Sequence, residues 1–293
     1  MNYYNEIKNE LLNNEITKKV KNYSINRSDL TTYYNVGKLL KEAGKRYGEG
    51  IIREYSKKLT NEFGKGYTMT NLKYFRQFYV FSKSHTVCDQ LTWSHYRTLL
   101  SLSDENTIEY YIKISEEQNL SVRELRTKIK NKEYERLNKK AKEKLKQREE
   151  LELPDLVKNP ILIKNTSCYN EISEKVLQKL ILEDISNFLE ELGEGFTFIK
   201  NEYKIKIGDR YNYIDLLLFN YSFNCFVVIE LKITKLKKEH IGQIEFYMNY
   251  IDKNLKTISQ NKTIGIIIVR KNNKFVMEYV SDKRIIAREY ELV

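Results

Sequence analysis

The hydrophobic period of this chain changes once, and the change falls at its only two prolines, Pro154 and Pro160. Before them apolar residues recur at three- and four-residue spacing. Ile51, Ile52, Tyr55, Leu59 and Phe63 make one stripe, and Leu72, Phe75, Phe78, Tyr79 and Val80 make another after Gly64-Lys65-Gly66. That spacing predicts amphipathic helices and no strands. Asp104 is placed to cap a helix containing Ile108, Tyr111 and Ile114, and Ser121 with Glu124 is a capping box opening a basic helix over residues 121–150. Trp93 and His95 read as packing residues. Beyond the prolines one long helix is expected from Tyr169 to Leu192, stopped by Gly193 and Gly195. Runs rich in Ile, Val, Phe and Tyr then read as strands over Phe196–Ile207, Tyr211–Phe219, Cys225–Thr234, Thr263–Arg270 and Lys274–Val280, with a helix between Lys238 and Asp252. The expected fold class is α + α/β: an all-helical domain over residues 1–150, then a mixed β-sheet flanked by helices over 151–293.

Charge divides along the same line. Of the excess that makes the chain +11, residues 1–150 hold 30 Lys or Arg against 20 Asp or Glu, and residues 151–293 hold 21 against 20. Residues 121–148 alone carry 12 basic and 4 acidic side chains. Such a stretch suits a row of phosphates, or else a solvated, salt-laced helix. The many aromatics of this half (Tyr33, Tyr34, Tyr74, Phe75, Phe78, Tyr79) suit a private core or one shared in a homodimer. No apolar run is long enough for a membrane span and the start lacks the order of a signal peptide, so a cytoplasmic protein with no membrane partner is expected. Cys88, Cys168 and Cys225 are too few and too scattered for a disulfide framework or a zinc knuckle, and read as buried thiols.

Two carboxylates sit in unexpectedly apolar company: Asp215 in Tyr-Ile-Asp-Leu-Leu-Leu-Phe and Glu230 in Val-Val-Ile-Glu-Leu-Lys. Burying either charge there costs several kcal/mol unless it is compensated. A hairpin turning at 221–224 pairs Asn220 with Cys225 and, counting back, Asp215 with Glu230. Like charges at that spacing repel unless a divalent cation lies between them, and oxygen donors suit Mg²⁺. Lys232 shares the Glu230 face and could hold a water beside the ion, or simply neutralise both acids as a structural cluster. Gln243 and Tyr247 share one face of the following helix, within reach of a metal-bound water or a phosphate; His240 reads as a phosphate contact or surface residue.

At these residues the chain resembles the PD-(D/E)XK nuclease superfamily. Asp215, fourteen intervening residues, Glu230 and Lys232 follow its D…ExK order, and Gln243 with Tyr247 follows the Gln-x3-Tyr extension of several branches. More closely, FLEELGEGF, YIDLLLFN, CFVVIELK and GQIEFYMNYID, with NLKYFRQFY and LTWSHY in the first half, are similar to the bacterial YhcG family. The resemblance implies a restriction-endonuclease-like core and a Mg²⁺-dependent nuclease, with Mn²⁺ as substitute, cutting DNA. A catalytically inactive DNA-binding or scaffold protein, or an RNA-cleaving enzyme, are the alternatives. It implies Asp215, Glu230 and the Leu231 backbone carbonyl as metal ligands, Lys232 as the catalytic lysine, Gln243 as a helper, and a first-helix glutamate, Glu183 or Glu174. Ile214 stands where the superfamily name has proline. Arg123, Arg126, Lys128, Lys130 and Lys132 are the expected phosphate contacts.

Overall fold

The computed structural model describes residues 3–20, 25–84, 90–147 and 149–293, and Cys88 lies outside them. These form two compact units, Met1–Tyr134 and Glu135–Val293. The boundary therefore falls sixteen residues before the expected one.

The first unit holds α1 (Tyr3–Val20), α2 (Ile25–Tyr47), α3 (Gly50–Phe63), α4 (Met69–Ser84), α5 (Trp93–Leu99), α6 (Glu105–Glu117) and α7 (Val122–Lys130), with no strand among its described residues. The stripes anticipated on α3 and α4 are its core: Ile52, Tyr55, Leu59, Leu72 and Phe75 pack with Ile7, Leu11, Val36 and Leu40. Val80 is the exception and faces solvent. Gly37 lets α2 lie against α4, because a Cβ there would collide with the Phe75 carbonyl. Trp93 closes a ring cluster, 4.8 Å from Tyr33 and 5.1 Å from Phe75, with Tyr33 stacked on Phe75 at 4.4 Å. These aromatics are satisfied within the unit. His95 is a packing residue too, joining the Thr92 cap to the Leu120 carbonyl at 2.9 Å. Asp104 and Ser121 cap α6 and α7 as expected.

The basic stretch is not one helix. α7 ends at Asn131, Lys132 takes φ 52°, and α8 (Lys139–Gln147) starts afresh in the second unit. Several of its charges are spent on structure. Arg136 and Glu191 form a buried ion pair, Arg136 also donates to the Pro160 carbonyl at 2.8 Å, and Lys144 pairs with buried Asp155 at 2.8 Å.

The second unit continues with α9 (Leu153–Leu156), β1 (Ile161–Ile163), α10 (Glu174–Glu183), α11 (Ile185–Leu192), β2 (Phe196–Ile207), β3 (Arg210–Asn220), β4 (Cys225–Lys235), α12 (Lys238–Asn254), β5 (Asn261–Lys271), α13 (Lys274–Glu278) and β6 (Ile285–Leu292). The six strands lie in the order β1-β6-β5-β4-β3-β2; β2, β3 and β4 are antiparallel neighbours and the rest pair in parallel. This is the mixed sheet expected. Several details differ, the first being β1 at Ile161–Ile163, a strand outside the expected runs. The long helix is two, because Ser173 and Asp184 each turn a side-chain oxygen onto the amide three residues on and start a new helix. Lys274–Val280 is no strand: its short apolar run forms α13, and the true last strand is Ile285–Leu292. Cys168 is exposed, whereas Cys225 is buried and its thiol pushed up to about 11 by desolvation.

Both faces of the sheet are covered. Leu177, Leu180 and Ile181 of α10 and Phe188 and Leu192 of α11 pack on Leu216, Leu218, Val227, Ile229 and Ile268. Ile244, Tyr247, Met248 and Ile251 of α12 pack on Leu217, Val228, Ile267 and Val269. Gly265 permits that second contact, since a Cβ would stand 2.5 Å from Met248 Sδ. No helix of the described residues is long and apolar enough to cross a membrane.

Candidate active site

The β3–β4 ladder follows the expected register from Asn220↔Cys225 to Leu216↔Ile229 and stops there. At the next position the Asp215 carboxylate, not its backbone, accepts the Leu231 N–H at 2.7 Å. β3 turns over at this residue: Ile214 packs on the α12 side while Leu216 packs on the α10–α11 side, although strict alternation would put them together. On the other edge the β2–β3 ladder passes from Asn201↔Leu216 to Tyr203↔Ile214, with Glu202 between them at φ 46°. The two strands part in the middle of a covered sheet, and the conspicuous acids stand at that break.

Glu230 is 2% exposed, on β4 beside Ile267 of β5. Its Oε1 accepts from Lys232 Nζ at 2.7 Å. Its Oε2 is the one buried side-chain oxygen or nitrogen among the described residues with no hydrogen-bond partner. Lys232 Nζ also reaches Glu174 Oε2 at 3.3 Å, so the first residue of α10 joins the group. Four residues along the same helix, Gln178 donates to the Asp215 carbonyl at 3.0 Å. From the opposite layer, Gln243 Nε2 donates to Tyr247 Oη at 3.1 Å.

Burial and mutual repulsion govern the charges here. Desolvation first, then Asp215, pushes the Glu230 carboxyl up to about 7 against the opposing pull of Lys232. Desolvation also raises Asp215, despite the Leu231 amide and Lys232. Burial works against the Lys232 ammonium, but Glu230 and then Glu174 and Asp215 outweigh it and hold the lysine above its ordinary value. Lys232 thus stands as the positive partner of these acids. His240 is lowered, by burial and by the charges of Lys232 and Lys237, and its Nδ1 accepts the Lys237 N–H at 3.3 Å. It is a buried neutral cap on α12. Burial raises Tyr247, with Gln243 opposing and the two acids reinforcing.

Two carboxyls whose ionised forms burial disfavours, one with an oxygen left unpaired, fit a small divalent cation. No cluster of three or more His, Cys, Asp or Glu side chains able to hold a metal occurs among the described residues. The protein would thus offer two carboxylate donors and main-chain oxygen, leaving other positions to water, as Mg²⁺ accepts.

Comparison with known proteins places this geometry. Residues 154–293 match the family described as the YhcG PDDEXK nuclease domain, and residues 7–136 match the DUF1016 N-terminal domain. The chain belongs to the YhcG family. Its C-terminal domain is a nuclease domain of the PDDEXK type. The Escherichia coli (strain K12) protein named "Putative nuclease YhcG" is 24% identical over 317 aligned positions, covering 92% of this chain and 84% of that protein. Among solved structures, a repair endonuclease from Pyrococcus abyssi shares 20% identity over 43% of this chain and 48% of its own, with a TM-score of 0.29. The EndoMS–dsDNA2 complex shares 19% over 43% and 47%, with a TM-score of 0.30. This chain spans about half the length of those two structures.

In this member of the YhcG family, Asp215, Glu230 and Lys232 stand together at the break in the β3–β4 ladder, joined by Glu174 rather than Glu183. Glu183 lies at the far end of α10, accepting from Thr166 at 2.7 Å and Ser167 at 3.3 Å. Gln178 was missed; its spacing of four from Glu174 on one helical face was the available signal. Of the basic residues singled out, Arg123, Arg126, Lys130 and Lys132 are exposed. Lys128 is not free, because it pairs with buried Glu133 at 3.3 Å.

Proposed function

We propose that the chain is a divalent-cation-dependent phosphodiesterase that hydrolyses DNA, with Mg²⁺ as its ion and Mn²⁺ able to replace it. The observation carrying this reading is the orphaned Glu230 Oε2 beside Asp215. An unpaired buried carboxylate oxygen costs about 1–3 kcal/mol or more, and a ligand there removes that cost. Asp215, Glu230 and the Leu231 carbonyl would hold the cation, which when bound lowers the pKa of water and neutralises charge gathering on the phosphate. Lys232, reaching two carboxylates, is placed to steady a non-bridging phosphate oxygen or the attacking water. Glu174 positions that ammonium, and Gln178 holds the β3 backbone behind Asp215. Gln243 and Tyr247 present a polar edge from α12. In the helical domain Arg123, Arg126, Lys130 and Lys132 would supply sequence-tolerant phosphate contacts.

The test is a panel of linear, nicked and branched duplex DNA with single-stranded RNA, incubated with Mg²⁺, Mn²⁺ or EDTA. Wild type should cut DNA only with the ion, and Asp215→Ala and Glu230→Ala should bind DNA without cutting it. Cleavage by both variants at the wild-type rate would overturn the assignment, and preference for RNA would overturn its DNA part.

A further inference from the structure

Beyond the point where β3 leaves β4, strands β2 and β3 run on as a two-stranded ribbon. Their ladder continues from Tyr203↔Ile214 to Ile207↔Arg210, closed by Gly208 and Asp209 with Gly208 at φ 56°. The two faces differ in chemistry. Ile205 and Ile214 are fully buried and bind one face into the apolar cluster beneath α12 with Leu236. The other face carries the cross-strand pairs Lys204↔Tyr213 and Lys206↔Tyr211. Lys204 Nζ lies 3.8 Å from the centre of the Tyr211 ring and Lys206 Nζ 6.0 Å from it. Tyr211 and Tyr213 are 53% and 52% exposed. Lys204, Lys206 and Arg210 at the tip are exposed too, and among the described residues none of them is in an ion pair. The acids nearby are Glu202 and Asp209.

We propose that this ribbon is a clamp for duplex DNA, laying Lys204, Lys206 and the hydroxyls of Tyr211 and Tyr213 against a duplex whose backbone reaches Asp215. The proposal rests on the reading of Asp215 and Glu230 as the reacting centre. Asp215 follows Tyr213 by two residues, so the ribbon is rooted at the site and cannot move independently of it. A B-DNA major groove, roughly 12 Å wide, admits a two-stranded ribbon. Duplex is favoured over single strand because the aromatic face a base would stack on is already capped at Tyr211 by an ammonium. The cation–π contact also limits where that ammonium can go.

Binding is measured in EDTA, where cutting is not required, by anisotropy of a labelled 30-bp duplex and of a thymidine 30-mer across a salt series. Removing two phosphate contacts should flatten the log K against log salt slope by about 1.8. Lys204→Gln/Lys206→Gln should show that change for duplex with a roughly tenfold loss of affinity near 0.15 M salt. Lys204→Arg/Lys206→Arg should keep the wild-type slope. Lys253→Gln/Lys262→Gln, which removes the same charge off the ribbon, should leave it unchanged. An unaltered slope in the first variant, an equal change in the Lys253/Lys262 control, or a loss confined to the single strand would each overturn the clamp. Absence of cleavage by wild type would instead sink the nuclease reading and leave these binding results standing.

Discussion

Glu230→Gln exchanges a buried carboxyl for an uncharged group of the same shape, and its effect on stability should change with pH. Folding pushes the carboxyl from its ordinary 4.5 to about 7. Below pH 4.5 both folded and unfolded chains hold the proton and burial costs nothing. Between 4.5 and 7 the unfolded chain releases it and the folded chain keeps it, so stability falls as pH rises, at ~1.4 kcal/mol per pH unit. Above 7 the loss is complete, at most about 3 kcal/mol. Glutamine has no proton to lose, so the variant should exceed wild type by about 1 kcal/mol or less at pH 5 and by about 2–3 kcal/mol at pH 8. For a domain of this size that is about 4–12 °C in Tm. Thermal melts in EDTA at pH 5 and pH 8 measure it. Added Mg²⁺ should raise the wild-type Tm more at pH 8, where fewer protons must leave, and should barely move the variant. A Glu230→Gln melt that tracks the wild-type pH slope, or falls below wild type at pH 8, would refute the burial of a carboxyl whose Oε2 has no partner.

Further outcomes follow from the same contacts. Lys232→Ala should lower DNA cleavage by about 10²–10³ with little change in DNA affinity, as for removal of one group that stabilises transition-state charge. Glu174→Gln should cost roughly tenfold in kcat by loosening Lys232, while Glu183→Gln, at the far end of α10, should cut like wild type. Arg136→Ala leaves Glu191 charged and buried, and should destabilise the nuclease domain by about 3–5 kcal/mol in urea unfolding. Lys128→Ala should leave the salt dependence of DNA binding unchanged, because its ammonium is already held by Glu133, whereas Arg123→Ala/Arg126→Ala should flatten it by about 1.8.

Much of the fold was readable because the relevant signals are local. The stripe Ile52, Tyr55, Leu59 on α3, the caps at Asp104 and Ser121, and the antiparallel count from Asn220↔Cys225 back to Leu216↔Ile229 depend on residues only a few positions apart. The errors arose where a local pattern was ambiguous or was overruled at a distance. Lys274–Val280 is too short to distinguish strand from helix. The charge run at 121–148 looked continuous, but Arg136 and Lys144 are drawn into the second unit by Glu191 and Asp155, one of them fifty-five positions away.

The candidate site divides along the same line. Spacing and apolar context alone singled out Asp215, Glu230 and Lys232, since a charged group inside a run of Leu, Ile and Val has a desolvation cost that the sequence itself displays. What spacing could not reveal is which glutamate of α10 supplies the third acid, that Gln178 braces Asp215, or that β3 and β4 part after Leu216. Those depend on how an amphipathic helix seats on a twisted sheet, a property of the packed layers that no stretch of chain encodes by itself. The same holds for Glu230 Oε2, which is without a partner only because the folded layers around it exclude water and offer it no donor.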